Sequence, residues 1–163
     1  MSFGSVGVDY RQFANASDLP RLIAELSART VVFDIEPFVA AWDGTQDALD
    51  DGIARALDNV AAIPGVRAVC FATNSARQPS ALPDVPGIDV SYLVSARKPV
   101  RTAAYRRLPL PGVVVGDQVM TDGLLARRLG YSFLHYRHPQ AAPIGPRLLD
   151  AVGELARPLM FRS

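Results

Sequence analysis

The sequence predicts an α/β protein, with a three-layer α/β/α, Rossmann-like core built on a mostly parallel sheet of five strands. Three observations carry that expectation. Short apolar runs recur along the 163 residues, helical patterns fill the stretches between them, and no run is long enough to span a membrane. Alternation of strand and helix builds a parallel sheet, and because such strands are covered on both faces they read as continuous apolar runs.

Each element has its own signal. A first helix is expected from Ser17 or Asp18, either of which can cap it, with Pro20 tolerated in the first turn and Leu19, Leu22, Ile23 and Leu26 forming one stripe. It leads into a strand over Thr30 to Asp34. After Thr45, the residues Leu49, Ile53, Ala56, Leu57 and Val60 repeat at helical spacing until Pro64-Gly65 stops them. Strands follow over Arg67 to Ala72 and Val90 to Val94, separated by a Pro-rich stretch from Gln78 to Gly87 that reads as a loop or a broken helix. A third helix is expected from near Pro99 to before Pro109, then a strand over Gly112 to Gly116 and a helix over Thr121 to Leu129 closed by Gly130. The last strand covers Tyr131 to Tyr136. A terminal amphipathic helix follows over 144–156, clearest from Arg147 to Ala156, where Leu148, Leu149, Val152 and Leu155 would pack on the sheet and Leu159-Met160-Phe161 would reach an oligomeric partner.

Composition narrows the setting. With 49% hydrophobic and 20% charged residues the chain can bury one ordinary core, and a single domain with its core over 17–138 is expected. A net charge of +1 gives no global attraction to nucleic acid, and no aromatic stacking platform is visible for single strands. Met1 to Tyr10 lacks the basic start and apolar middle of a signal peptide, so a cytoplasmic protein is expected, with peripheral membrane contact left open. Cys70, the one cysteine, sits in an apolar run and reads as a small core residue.

Ligands of open parallel sheets bind beyond the carboxyl ends of the strands. The residues at those ends here are Asp34 and Glu36, then Thr73, Asn74 and Ser75, then Lys98, then Asp117 and Asp122. Carboxylates from separate strands can hold Mg²⁺, hydroxyl and amide groups can bind phosphate oxygens, and a lysine can neutralise a phosphate or a nucleophile. Taken alone, Asp-x-Glu is more often a loop cap beside a solvated acid, Lys98 a surface residue, and Thr73-Asn74 a turn. Four such sets in order, each at a strand end, favour a site. His135 and His138, with no third His or Cys nearby, read as strand-end polar residues and not as a metal pair, and Trp42 as a cover for the first loop.

This order resembles the haloacid-dehalogenase (HAD) superfamily of phosphohydrolases over roughly Leu26 to His138. The segments that carry the likeness are Asp34-Ile35-Glu36, Phe71-Ala72-Thr73-Asn74, Ala96-Arg97-Lys98-Pro99 and, most specifically, Gly116-Asp117 with Thr121-Asp122. Trp42-Asp43 and Arg128-Leu129-Gly130 make it similar to the small capless subfamily IIIA, which includes YqeG-like proteins and phosphatidylglycerophosphate phosphatases. The resemblance implies Asp34 as nucleophile, Glu36 as the acid that protonates the leaving oxygen, and Thr73, Asn74 and Lys98 as phosphate ligands. It further implies Mg²⁺ held by Asp34, the Glu36 backbone carbonyl, Asp117 and Asp122, and no substantial cap. The family pattern has a second Asp where this chain has Glu36, followed here by Pro37, Phe38 and Val39.

One methylene separates the two acids, and a displacement of about 1 Å in a catalytic group costs on the order of 100-fold in rate. Two functions follow as expectations: a Mg²⁺-dependent phosphomonoesterase acting on a large or lipid phosphate, or a catalytically weakened or inactive relative that serves as a binding or assembly subunit. Arg97, Lys98, Arg101, Arg106 and Arg107, with Arg127, Arg128 and Arg137 beyond them, read either as a solvated face or as an anion-attracting rim for a phospholipid headgroup or other polyanion.

Overall fold

The computed structural model describes residues 8–138 and 144–161, side chains within 144–150 excepted. It is α/β with one sheet, but that sheet has six strands and all of its pairings are parallel. In chain order the elements are β1 (Tyr10–Phe13), α1 (Leu19–Glu25), β2 (Thr30–Asp34), α2 (Gln46–Ala61), β3 (Ala68–Ala72), β4 (Asp89–Leu93), β5 (Gly112–Gly116), α3 (Leu124–Leu129), β6 (Ser132–Tyr136) and α4 (Ile144–Met160). The strands lie in the order β1-β6-β5-β2-β3-β4. The unexpected sixth strand, β1, is an edge strand that pairs Tyr10 with Phe133 and Phe13 with Tyr136. Its sequence, Tyr-Arg-Gln-Phe, has none of the apolar continuity of the inner strands.

The helices cover both faces, because alternate residues of each strand point opposite ways. Val31, Phe33, Val69, Phe71, Val113 and Val115 face one way into a cluster with Leu19 and Ile23 of α1 and Leu49, Ile53 and Leu57 of α2. Val32, Cys70, Val114 and Phe133 face the other way into a second cluster with Leu125 of α3, Tyr105 and Phe161. Fully burying an aliphatic or aromatic side chain contributes about 1.5–3 kcal/mol, so these paired layers dominate what holds the sheet in place. Cys70 is buried in the second layer, where burial pushes its thiol up to about 11 and leaves it an unreactive core residue.

α2 begins as expected, with Thr45 Oγ1 accepting from Ala48 N at 3.2 Å. The start of α1 differs. A short 3₁₀ turn over Ala16–Asp18 leads into it, and neither Ser17 nor Asp18 makes a side-chain cap. The helix expected between Pro99 and Pro109 is instead a run of turns, with bonds from Val100 N to Arg97 O, Tyr105 N to Thr102 O and Leu108 N to Tyr105 O. Its buried residues Thr102, Tyr105 and Leu108 recur every third position, the period of tight turns and not of an α-helix. α4 runs past the expected end at Ala156 to Met160, through Pro158. Its packing also differs from expectation: Val152 and Leu155 are exposed, whereas Phe161 is buried against Phe133 and Tyr10. The side chains of Leu148 and Leu149 lie outside the described ones.

Tyr105 is buried with its hydroxyl lacking a hydrogen-bond partner among the described residues. An unsatisfied buried hydroxyl costs about 1–3 kcal/mol, so Tyr105→Phe is expected to hold or raise stability by up to about 1 kcal/mol. Urea unfolding measures this directly, and a fall in midpoint would show that the hydroxyl has a partner.

Candidate active site

The carboxyl ends of β2, β3 and β5 meet at one cavity of about 230 Å³, lined by Asp34, Glu36, Thr73, Lys98 and Gln118 among others. β2 stays extended through Asp34, and Ile35 turns inward to full burial. Glu36 keeps extended angles inside a π-type turn over Ile35–Val39, so the two acids open toward the same space as strand alternation requires. α2 presses on the back of this turn: a Cβ at Gly52 would lie 2.0 Å from the Val39 carbonyl oxygen.

A second π-type turn, Val119–Gly123, follows β5 and carries Asp122 back over the strand end. Asp122 is fully buried, and a Cβ at Gly116 would lie 2.3 Å from its Oδ2, so only glycine lets this carboxylate approach the strand. Gln118 N donates to the same oxygen at 3.3 Å. Behind the loop, His135 Nε2 donates to the Asp117 carbonyl at 2.9 Å, which leaves Nδ1 to accept from the Tyr10 hydroxyl at 2.7 Å. His135 is therefore a buried loop support. His138 packs edge-on against Trp42 and Tyr136.

Lys98 enters from the turn after β4. Ser95 and Arg97 adopt positive φ, 46° and 51°, and Asn74 holds the result, its Oδ1 accepting from Lys98 N at 2.7 Å and its Nδ2 donating to Lys98 O at 3.2 Å. The Asn74 amide, expected at the phosphate, thus grips the lysine backbone with both ends. Lys98 Nζ lies 2.6 Å from Asp34 Oδ1 and 2.7 Å from Asp122 Oδ1. Burial works to lower the Lys98 pKa, but Asp122 and Asp34 outweigh it and hold the ammonium above its ordinary value. Burial and the Asp122 carboxylate push Asp34 well above the usual carboxylate range, against the pull of Lys98.

Asp34, Asp117 and Asp122 each offer a carboxylate oxygen within 4.8 Å of the others. Three carboxyl groups converging in this way give an all-oxygen donor set that fits a hard divalent cation such as Mg²⁺. The Glu36 carboxylate is not part of this cluster. Its Oε2 accepts from Thr73 Oγ1 at 3.0 Å, and its Oε1 lies 3.5 Å from Arg77.

Arg77 and Ser75 complete the neighbourhood. The Arg77 guanidinium donates to the carbonyls of Ala41, Gly44 and Thr45 at 2.9, 2.6 and 3.1 Å, fastening the loop that carries Trp42. Arg77 was not evident from sequence; the one available sign is the alternation Thr73, Ser75, Arg77 beyond a strand end. Of the expected cationic rim, Arg97, Arg101, Arg106 and Arg107 are exposed and form no ion pair with a described residue. Lys98 belongs to the site, Arg127 and Arg128 donate to the carbonyls of Leu159 and Pro99, and Arg137 pairs with Glu154. A larger cavity of about 660 Å³, lined by Leu93, Val100, Tyr105 and neighbours, has no carboxylate or histidine in its wall. No helix of the described residues is long and apolar enough to cross a membrane. No protein-family profile, curated protein or solved structure matches this chain.

Proposed function

We propose that the chain is a Mg²⁺-dependent phosphohydrolase that acts through an aspartyl-phosphate on Asp34. The observation that carries this reading is the convergence of Asp34, Asp117 and Asp122 within 4.8 Å, bridged by Lys98 at 2.6 and 2.7 Å from two of them, at a cavity that Asp34 and Lys98 line together with Thr73 and Glu36. Asp34, Asp117 and Asp122 would hold the cation, which when bound neutralises charge as an anionic nucleophile meets an anionic phosphate.

Asp34 attacks phosphorus, forming an Oδ–P bond as the bond from phosphorus to the leaving oxygen breaks. Glu36 in its acid form gives that oxygen its proton, and the resulting carboxylate then takes one back from the water that attacks phosphorus and releases inorganic phosphate from Asp34. Lys98 counters the charge of the nucleophile, and Thr73 donates to the transferring group. The cavity is smaller than the roughly 300–1,000 Å³ of sites that enclose a whole small ligand, so it takes the phosphate and the first atoms of its ester. The rest of the substrate stays outside, which suits a phospholipid or macromolecular phosphate, and the exposed arginines favour an anionic one.

The hold of Thr73 and Arg77 on Glu36 favours a second reading, a phosphate-binding subunit with little turnover. One experiment separates the two. Purified protein given an aryl phosphate and MgCl₂ is expected to release phosphate until the cation is chelated. Absence of release from both the native chain and Glu36→Asp would overturn the hydrolase, whereas release only from Glu36→Asp would identify a site disabled by one methylene.

A further inference from the structure

We propose that Thr73, Ser75 and Arg77 form an oxyanion subsite whose resident occupant is the Glu36 carboxylate, so that a phosphate group enters only by displacing Glu36. The phosphohydrolase reading supplies only the identity of the ligand; the subsite itself follows from where the protons are.

A hydroxyl has one proton to donate. Ser75 Oγ accepts from Arg77 N at 3.2 Å and lies 2.9 Å from Thr73 Oγ1. Thr73 Oγ1 also accepts from Ser75 N at 3.0 Å and donates its single proton to Glu36 Oε2 at 3.0 Å. With that proton committed, the short contact between the two hydroxyls is a donation from Ser75 to Thr73. Every proton in the chain Arg77, Ser75, Thr73 therefore points toward Glu36, and such a chain polarises in one direction. Thr73 has nothing left for a phosphate oxygen while Glu36 stays in place.

Arg77 addresses the other oxygen. Three carbonyls hold its guanidinium still, and Nη1, which donates to the Ala41 carbonyl, also lies 3.5 Å from Glu36 Oε1. The two side chains are only 18% and 14% exposed. Arg77 stands behind Glu36, which lines the cavity while Arg77 does not. The carboxylate therefore has one oxygen on a hydroxyl and the other beside a fixed cation, an arrangement that two oxygens of a tetrahedral oxyanion can reproduce. A phosphate arriving beside Glu36 meets repulsion and an occupied donor, and both are removed together when Glu36 leaves.

The test is calorimetric titration of inorganic phosphate, in the presence of MgCl₂, into the full chain and its variants. Glu36→Ala is expected to bind phosphate ten- to a hundredfold more tightly than the native chain, the range of a charge-assisted hydrogen bond. Adding Thr73→Val to Glu36→Ala is expected to cancel at least tenfold of that gain. Unchanged or weaker binding by a folded Glu36→Ala overturns the proposal, as does a double variant that binds like Glu36→Ala or a complete set that binds no phosphate. Should Glu36→Ala fail to fold, Glu36→Val removes both carboxylate oxygens and suits the extended backbone at this position, and tighter binding is again the required result. Tightened binding with no ester cleavage by the native chain or by Glu36→Asp keeps the subsite and discards the hydrolase. Ester cleavage with an unchanged Kd does the reverse.

Discussion

Asp34→Asn is expected to abolish phosphate release, by at least about 10⁴-fold in kcat, because an amide can neither attack phosphorus nor carry the acyl-phosphate. The substitution is nearly isosteric and keeps a hydrogen-bond acceptor 2.6 Å from Lys98, so the fold and the Lys98–Asp122 contact are retained. Stability is expected to hold or improve, since the change removes one anion from a site where burial and Asp122 already oppose ionisation of Asp34. A steady-state assay on an aryl phosphate, paired with thermal unfolding, reads both effects. Residual activity within about tenfold of the native rate would place the nucleophile elsewhere.

Lys98→Met is expected to give the largest loss of stability, about 3–5 kcal/mol near neutral pH, because it strips the ammonium from two carboxylates and leaves them facing each other away from water. The pH dependence follows from the sign of the Asp34 shift. That carboxyl is already raised by burial and by Asp122 and is pulled down by Lys98; without the lysine it rises further. A carboxyl raised in the folded state contributes stability below its unfolded pKa and loses it as pH climbs through the folded value. The gap between variant and native protein should therefore be widest at neutral pH and close as the pH falls into the carboxylate range. Millimolar Mg²⁺ should narrow it as well, since a cation on Asp34, Asp117 and Asp122 offsets the same charges. Urea midpoints measured across pH, with and without MgCl₂, test this. A gap independent of both would mean that Lys98 acts by packing alone.

The inner strands β2, β3 and β5 were legible because each is buried on both faces and carries an unbroken apolar run, as in Val31-Val32-Phe33 or Val113-Val114-Val115, while β6 and the half-buried edge strand β4 showed through the apolar residues Phe133 and Leu134 and the residues Val90, Tyr92 and Leu93. β1 was not, since an edge strand needs only part of one face covered and Arg11 and Gln12 interrupt the run. The segment after Lys98 misled in another way. Its residues Thr102, Tyr105 and Leu108 share a spacing that helices and tight turns both tolerate locally, and burial at every third position decided for turns.

At the candidate site, the places of Asp34, Thr73 and Asp117 were readable because each stands at or one residue past a strand end, whereas Lys98 and Asp122 ride on turns beyond β4 and β5 and were readable by motif spacing alone. Asn74 was readable in place but not in role, for nothing in a sequence tells whether an amide turns to a ligand or to the backbone of Lys98. Arg77 lay beyond reach. Its partners, the carbonyls at 41, 44 and 45, come from a loop more than thirty residues earlier and exist as a set only after folding.

The bond from Tyr10 to His135, and from His135 to the Asp117 carbonyl, links the outermost strand to a proposed cation ligand. Two hydrogen bonds are a short lever arm. Any event that peels the sheet margin, whether a partner strand, a protease or a fused tag, would be transmitted inward as a reorientation of one peptide unit. The margin of the sheet is thus a place from which affinity for the proposed cation would be tuned without touching the cavity.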